Sequence, residues 1–190
     1  MSVEGRRSFL ILHGWQNRRP PEHWQHWLAD RLREEGAQVV YPQLPDPDAP
    51  RPEVWLEELR RYLTQLHGEE RVVIAHSLGT LLWLHHARDG GDPVDRVLLV
   101  SPPGPEPPTP EIARFFAVEL SPEPVAAAAG STEIVCSDND PYSERGAVDA
   151  YARPLRLPYH LIPGAAHINP DSGYGPWPAA RTWALTGEWI

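Results

Sequence analysis

The chain contains no lysine: all 17 of its basic residues are arginine, set against 26 acidic ones, for a formal net charge of −9. A basic face able to hold nucleic acid by neutralising phosphates is therefore not expected. Cysteine is nearly absent too. The single Cys136 rules out an internal disulfide, and the cysteine pairs that announce a structural zinc site are missing. It lies in the apolar run Thr132-Glu133-Ile134-Val135-Cys136 and reads as a small buried strand residue with no means of becoming a thiolate. No stretch approaches the roughly 18 consecutive apolar residues of a membrane-spanning helix. Arg6-Arg7 precedes only the four apolar residues Phe9 to Leu12, against about 7 to 15 in a secretory signal core. The expectation is a soluble protein of the reducing cytoplasm, without membrane or nucleic-acid partners.

What is present is a repeating alternation. A chain of 190 residues is expected to form one domain over 1–190 and to bury roughly 70% of its extended surface. Phe9 to Leu12, Gln38 to Tyr41, Arg71 to Ala75, Arg96 to Val100, Glu133 to Cys136 and Leu157 to Ile162 are short apolar or β-branched runs. Their apolar residues are nearly continuous, as expected of a parallel sheet covered on both faces. Helical spacing falls between them, over Glu22 to Glu35, Glu53 to Leu66, Ser77 to Ala87, Ser143 to Ala152 and Ala179 to Trp189. Right-handed crossovers then give an α/β three-layer sandwich on a mostly parallel sheet of about six strands. Pro102 to Pro110 carries too many prolines for helix or central strand. It follows a strand at the edge where α/β sheets place their sites, so it is expected to form one wall of a pocket; a polyproline ligand for another domain is the competing reading.

The chemistry begins at Ala75-His76-Ser77-Leu78-Gly79, between a strand-like run and a helix-like run. A serine forced into a sharp strand-to-helix turn exposes its hydroxyl, and small residues two positions before and after let strand and helix approach. Ser77 is the candidate nucleophile; its plainer role, compatible with the first, is the N-cap of the following helix. A serine hydroxyl needs a base, which a neutral imidazole can supply near pH 7. The α/β-hydrolase topology imposes the order serine, acid, histidine, with the acid after a late strand and the histidine after the last. Strand Glu133 to Cys136 leads to Asp138-Asn139-Asp140-Pro141, and strand Leu157 to Ile162 leads to His167. Asp138 and Asp140 compete for the acid role. Alternation along an extended backbone points both in similar directions; Pro141 favours Asp140 by pushing it into an extended conformation.

Of the nine histidines, His23, His26, His67, His85 and His86 fall on predicted helices and read as surface or packing residues away from the site. His85 and His86 are adjacent, not three or four apart, so they cannot readily share a metal on one helical face. No metal and no cofactor is expected. His13-Gly14-Trp15 follows the first strand, where the Trp15 N–H, with the Leu78 N–H as partner, can point at a developing oxyanion; the plainer reading is a strand-ending turn.

These blocks resemble a family, the small lidless serine hydrolases related to retinoblastoma-binding protein 9 and their bacterial relatives of the α/β-hydrolase superfamily. The likeness runs from Phe9 through nearly the whole chain. It is carried by His13 to Asn17 with Glu22-His23-Trp24, by Leu44 to Pro47 with Val54-Trp55-Leu56, by His76 to Gly79, by Asp138 to Tyr142, and by Gly164, His167, Ile168-Asn169, Ser172-Gly173 and Trp177-Pro178. It implies a lidless α/β-hydrolase fold, hydrolysis of esters, thioesters or small amides of a small acyl substrate, and Asp140 as the acid, because the family's acid stands directly before proline. Ala75 departs from the usual glycine, and the proline-rich stretch has no counterpart. A different reading, a non-catalytic binding module on a hydrolase scaffold, would use that stretch and exposed aromatics as a partner surface.

Overall fold

The computed structural model describes residues 7–143 and 146–189. Six strands, β1 (Arg7–Leu12), β2 (Gln38–Val40), β3 (Glu70–His76), β4 (Val94–Val100), β5 (Ala129–Ser137) and β6 (Tyr159–Ile162), form one sheet in the order β2-β1-β3-β4-β5-β6. Every pairing is parallel. The six strand-like runs each become a strand, with ends shifted by a few residues.

Continuous apolar strands divide their side chains between two cores. Leu10, Leu12, Val73, Ala75, Val97 and Leu99 pack with Trp55, Leu59 and Leu81 from helices α2 (Pro52–Leu63) and α3 (Leu78–Arg88). On the opposite face Phe9, Ile11, Val72, Ile74, Leu98 and Val100 meet Trp24, Leu28 and Leu32 of α1 (Trp24–Glu34) and Ala180 and Trp183 of α6 (Pro178–Thr186). A sheet covered on both sides has no use for polar alternation, which is why its strands read as unbroken apolar runs. Trp24, Trp55 and Trp183 are fully buried, each removing roughly 150–250 Å² from water.

Helix ends follow local chemistry. Proline opens α2 and α6 at the position where its missing amide costs nothing, and Gly187, with φ +77°, closes α6. Helix α4 (Pro122–Ala128) has no counterpart in the helical spacing. It buries only Val125 and Ala128, and its two prolines lie in the first turn, where they are tolerated. The helix expected over 143–152 includes residues 144 and 145, which lie outside the described residues; beyond them a π-type turn (Val148–Ala152) runs into the short α5 (Arg153–Leu155). After β4 the chain makes a proline-rich loop and a 3₁₀ segment (Pro110–Phe116), and among the described residues no large lid covers the sheet. No helix among the described residues is long and apolar enough to cross a membrane.

Candidate active site

The C-terminal ends of β1, β3, β5 and β6 meet at one rim. Strand β3 ends at His76, α3 starts at Leu78, and Ser77 between them takes φ +53°, ψ −125°. A left-handed φ at a serine costs roughly 1–3 kcal/mol and persists only where surroundings fix it. Here the Ser77 amide donates to Val100 O at 2.9 Å, while the Thr80 hydroxyl and amide donate to Ser77 O at 2.6 and 2.9 Å. Close packing completes the turn. A Cβ on Gly79 would stand 2.8 Å from His13 O and 2.9 Å from Leu12 O, both rigid backbone. Ala75, where a glycine is usual, is accommodated with its side chain fully buried. As an N-cap Ser77 makes no side-chain bond to the helix, so its hydroxyl is free for another partner.

That partner is His167. Its Nε2 lies 2.9 Å from Ser77 Oγ, and its Nδ1 lies 3.0 and 2.9 Å from the two carboxylate oxygens of Asp140. A carboxylate only accepts, so Nδ1 carries the hydrogen and Nε2 is left to accept from the serine hydroxyl. The Tyr142 amide donates to Asp140 Oδ1 at 2.9 Å, fixing the carboxylate, and the Tyr142 ring stands edge-on to His167 with centroids 4.6 Å apart.

Both aspartates reach one loop, but not through strand alternation: the chain bends after β5, so the residue between them turns to that loop as well. Asp138 Oδ1 accepts from Gly164 N at 2.7 Å, Asn139 Oδ1 from Ala166 N at 2.8 Å, and Asp140 meets the His167 ring. Three consecutive residues thus span one loop from its start to its imidazole. That loop is bent sharply, with φ +47° at Ala166 and +49° at Ile168. From the other side His76 Nε2–H donates to His167 O, and Trp24 Nε1–H to Ile168 O, both at 2.9 Å.

His23 corrects the sequence expectation. It is not on a helix remote from the rim: it precedes α1 as its N-cap, with Nδ1 accepting from Gln25 N at 3.2 Å. It borders the cavity above Ser77, its ring 5.1 Å from that of His76. No periodicity marks His23 or His76 as site residues; only their places, before a helix start and beside Ser77, could have. His85 and His86 are buried packing residues whose Nε2–H groups donate to Phe115 O and Asp92 O. Cys136 is buried on β5, and burial pushes its thiol up to about 11.

The cavity has a volume of about 470 Å³. Leu78, Pro103, Pro108, Ile112 and Tyr142 give it an apolar side, and Glu22 and Asp171 lie at its edge. The proline-rich segment is therefore a wall, as its place after β4 suggests. It is held by the Tyr151 hydroxyl donating to Pro103 O at 2.7 Å and by Gly104 N donating to Tyr142 O at 2.6 Å. Gly14 lies under the serine: a Cβ there would come within 2.8 Å of Ser77 Cβ and 3.2 Å of its Oγ. The Trp15 and Leu78 amides belong to the residues next to this contact, and neither donates in the backbone bonds of the turns and loops among the described residues.

The family model described as Serine hydrolase matches residues 9–184. The YdeN protein of Bacillus subtilis (strain 168) is 38% identical over 73 residues, which cover 38% of this chain and 37% of that protein, so the match spans little more than a third of the relative. Over whole structures the likeness is wider. The crystal structure of the B. subtilis ydeN gene product superposes with a TM-score of 0.81 at 25% identity, covering 96% of this chain and 97% of that one. A YdeN-like hydrolase from Pectobacterium atrosepticum gives 0.75 at 23% identity, over 95% and 90% of the two chains. A structure of the metagenome-derived lipolytic enzymes LipS and LipT shares the fold at a TM-score of 0.64 and 13% identity, over 88% and 87%. With a match from residue 9 to residue 184 and a parallel sheet that presents a serine on its strand-to-helix turn, the chain belongs to the serine hydrolase family.

Proposed function

We propose that the protein cleaves carboxylic esters, thioesters or small amides through an acyl-enzyme on Ser77, with His167 as base and acid and Asp140 as its orienting carboxylate. The observation that carries the reading is the continuous contact Ser77 Oγ, His167 Nε2, His167 Nδ1, Asp140 carboxylate, each link 2.9–3.0 Å. Ser77 Oγ attacks the substrate carbonyl carbon while its proton passes to His167 Nε2. Asp140 keeps the hydrogen on Nδ1 and stabilises the imidazolium that forms. The carbonyl oxygen becomes an oxyanion facing the Trp15 and Leu78 amides, donors already oriented before charge develops there. Collapse expels the alcohol, thiol or amine with the proton from His167 Nε2. Water then repeats the sequence, and the acid leaves with Ser77 restored.

The apolar side of the cavity suits a small acyl group, and no step calls on a cofactor. The finer likeness to the retinoblastoma-binding protein 9-like group belongs to the same proposal; it rests on the His13 to Asn17 and Asp138 to Tyr142 blocks. The test is covalent labelling by a fluorophosphonate probe. The wild-type protein is expected to take up one probe per chain and Ser77→Ala none; a Ser77→Ala protein that still labels at the wild-type rate removes Ser77 from the mechanism.

A further inference from the structure

We propose that His13 is a positioning residue that sets the direction of the Trp15 amide and so makes it an oxyanion donor. The inference deepens the acyl-enzyme reading of this site and rests on it.

His13 directly follows β1 and is fully buried. Its Nδ1 lies 2.8 Å from Gly14 O, and its Nε2 lies 2.9 Å from Leu44 N and 3.1 Å from the side-chain amide nitrogen, Nε2, of Gln43. A carbonyl can only accept and a backbone amide can only donate. The ring must therefore be neutral, with hydrogen on Nδ1 and a bare Nε2. Burial pushes its pKa down to about 4, which keeps it in that form at neutral pH. The ring also stands edge-on to Trp55, centroids 5.5 Å apart at 79°, and cannot swing away.

The carbonyl of Gly14 and the N–H of Trp15 belong to one peptide group, and no described peptide is cis. In a trans peptide these two dipoles point in opposite directions. Tying the Gly14 carbonyl to the imidazole therefore turns the Trp15 N–H away from the ring; on this proposal that aims it at the oxyanion position beside Ser77, which Gly14 touches. Without that tie the peptide has freedom to turn. The chain on either side is fixed, by Gly14 against the serine, by the Trp15 indole donating to Asp48 O at 2.9 Å and by Gln16 N donating to Pro47 O at 2.8 Å. A peptide between two fixed points can still rotate as a unit through opposite changes in the dihedrals on either side, and glycine on one side makes that rotation easy. The His13 bond selects one of the two orientations.

Two substitutions separate the halves of the ring. His13→Asn places an amide NH₂ near the Nδ1 position, able to donate to Gly14 O but too short for Leu44. His13→Gln reaches the Nε2 position, where its oxygen can accept from Leu44 N, and leaves Gly14 O without its donor. The readouts are kcat and KM on a p-nitrophenyl ester and the inhibition constant of an alkyl boronic acid, whose serine adduct puts an oxygen in the oxyanion position. His13→Gln is expected to lose about 10²-fold in kcat with little change in KM, and to bind the boronate about 10²-fold more weakly. His13→Asn is expected to stay within about tenfold of wild type on both. The reverse order, expected if His13 only anchors the Leu44 loop, or equal losses, overturns the inference. If neither variant folds, the Trp15 amide of the wild-type protein decides: a downfield proton shift when the boronate adduct forms, with the His13 ring in its Nδ1–H form, supports the inference, and a Trp15 amide that does not move, or an Nε2–H or doubly protonated ring, overturns it. A wild-type protein that takes up neither fluorophosphonate nor boronate sinks the acyl-enzyme reading instead, whereas normal uptake with the wrong ranking sinks only the role of His13.

Discussion

Four histidines, His13, His23, His76 and His167, crowd one rim of the sheet, and burial does not tell them apart. Their exposures are 0%, 3%, 4% and 7%. What differs is the partner. His167 alone faces a carboxylate, at 2.9 Å from Asp140. The other three face backbone amides or carbonyls and one another. Loss of water drives His13 and His23 down to about 4 and His76 well below its ordinary value, with the neighbouring imidazoles adding to the effect on His23 and His76. Burial alone would silence a histidine as a base that must carry a proton during the reaction. On the proposed mechanism this one imidazole, with a carboxylate on its far nitrogen, shuttles the proton, while its three neighbours are held by uncharged backbone and side-chain groups and act as struts.

The largest expected effect tests that contrast directly. His167→Ala removes the proposed base and should lower kcat by roughly 10⁵- to 10⁶-fold. His23→Gln, in the same rim but outside the relay, should lower kcat by less than about tenfold, with any further change in KM. Steady-state ester hydrolysis measures both, and comparable losses would dissolve the distinction between shuttle and strut.

A smaller effect sharpens it at the acid. Asp140→Asn puts an amide against Nδ1, which favours the wrong tautomer, and should lower kcat by about 10⁴-fold with protein stability nearly unchanged. Asp138→Asn retains an oxygen able to accept from Gly164 N and should cost about tenfold or less. The opposite ranking would move the orienting carboxylate to Asp138.

How much of this was legible from the chain differs between its two parts. The sheet was readable because parallel strands covered on both faces leave continuous apolar runs, and the order serine, aspartate, histidine follows from the topology. The three residues could be named because each stands just after its strand. Choosing Asp140 over Asp138 rested on Pro141 and on the resemblance: both aspartates reach the same loop, and it is the path of that loop that brings Asp138 to Gly164 and Asp140 to His167. His23 was misplaced for a related reason. The spacing of Trp24, Trp27, Leu28 and Leu32 includes the residue before it in a helix, but capping turns that residue's side chain towards the rim. Helix α4, with two buried residues and two prolines, leaves almost no periodic signal.

The smallest expected effect concerns stability and isolates the struts. In the unfolded chain His13, His23 and His76 titrate near 6.5; in the native protein His13 and His23 titrate at about 4 and His76 also well below 6.5. Between these limits the unfolded state binds protons that the native state does not, so stability rises with pH and is lost as pH falls from about 6.5 towards 4. Each such group adds at most about 1.4 kcal/mol per pH unit to the slope. Paired carboxylates such as Glu70 and Asp89, held below their ordinary values by Arg96 and Arg88 against the opposing cost of burial, steepen the loss mainly below about pH 4.5, so the window from 6.5 to 5 belongs to the histidines. Urea midpoints across that window should fall with acid in the wild-type protein and fall less in His23→Gln, which has no imidazole to protonate on unfolding. An unchanged slope in that variant would mean that His23 is as easily charged in the folded rim as in water, and the contrast with His167 would then rest on position alone.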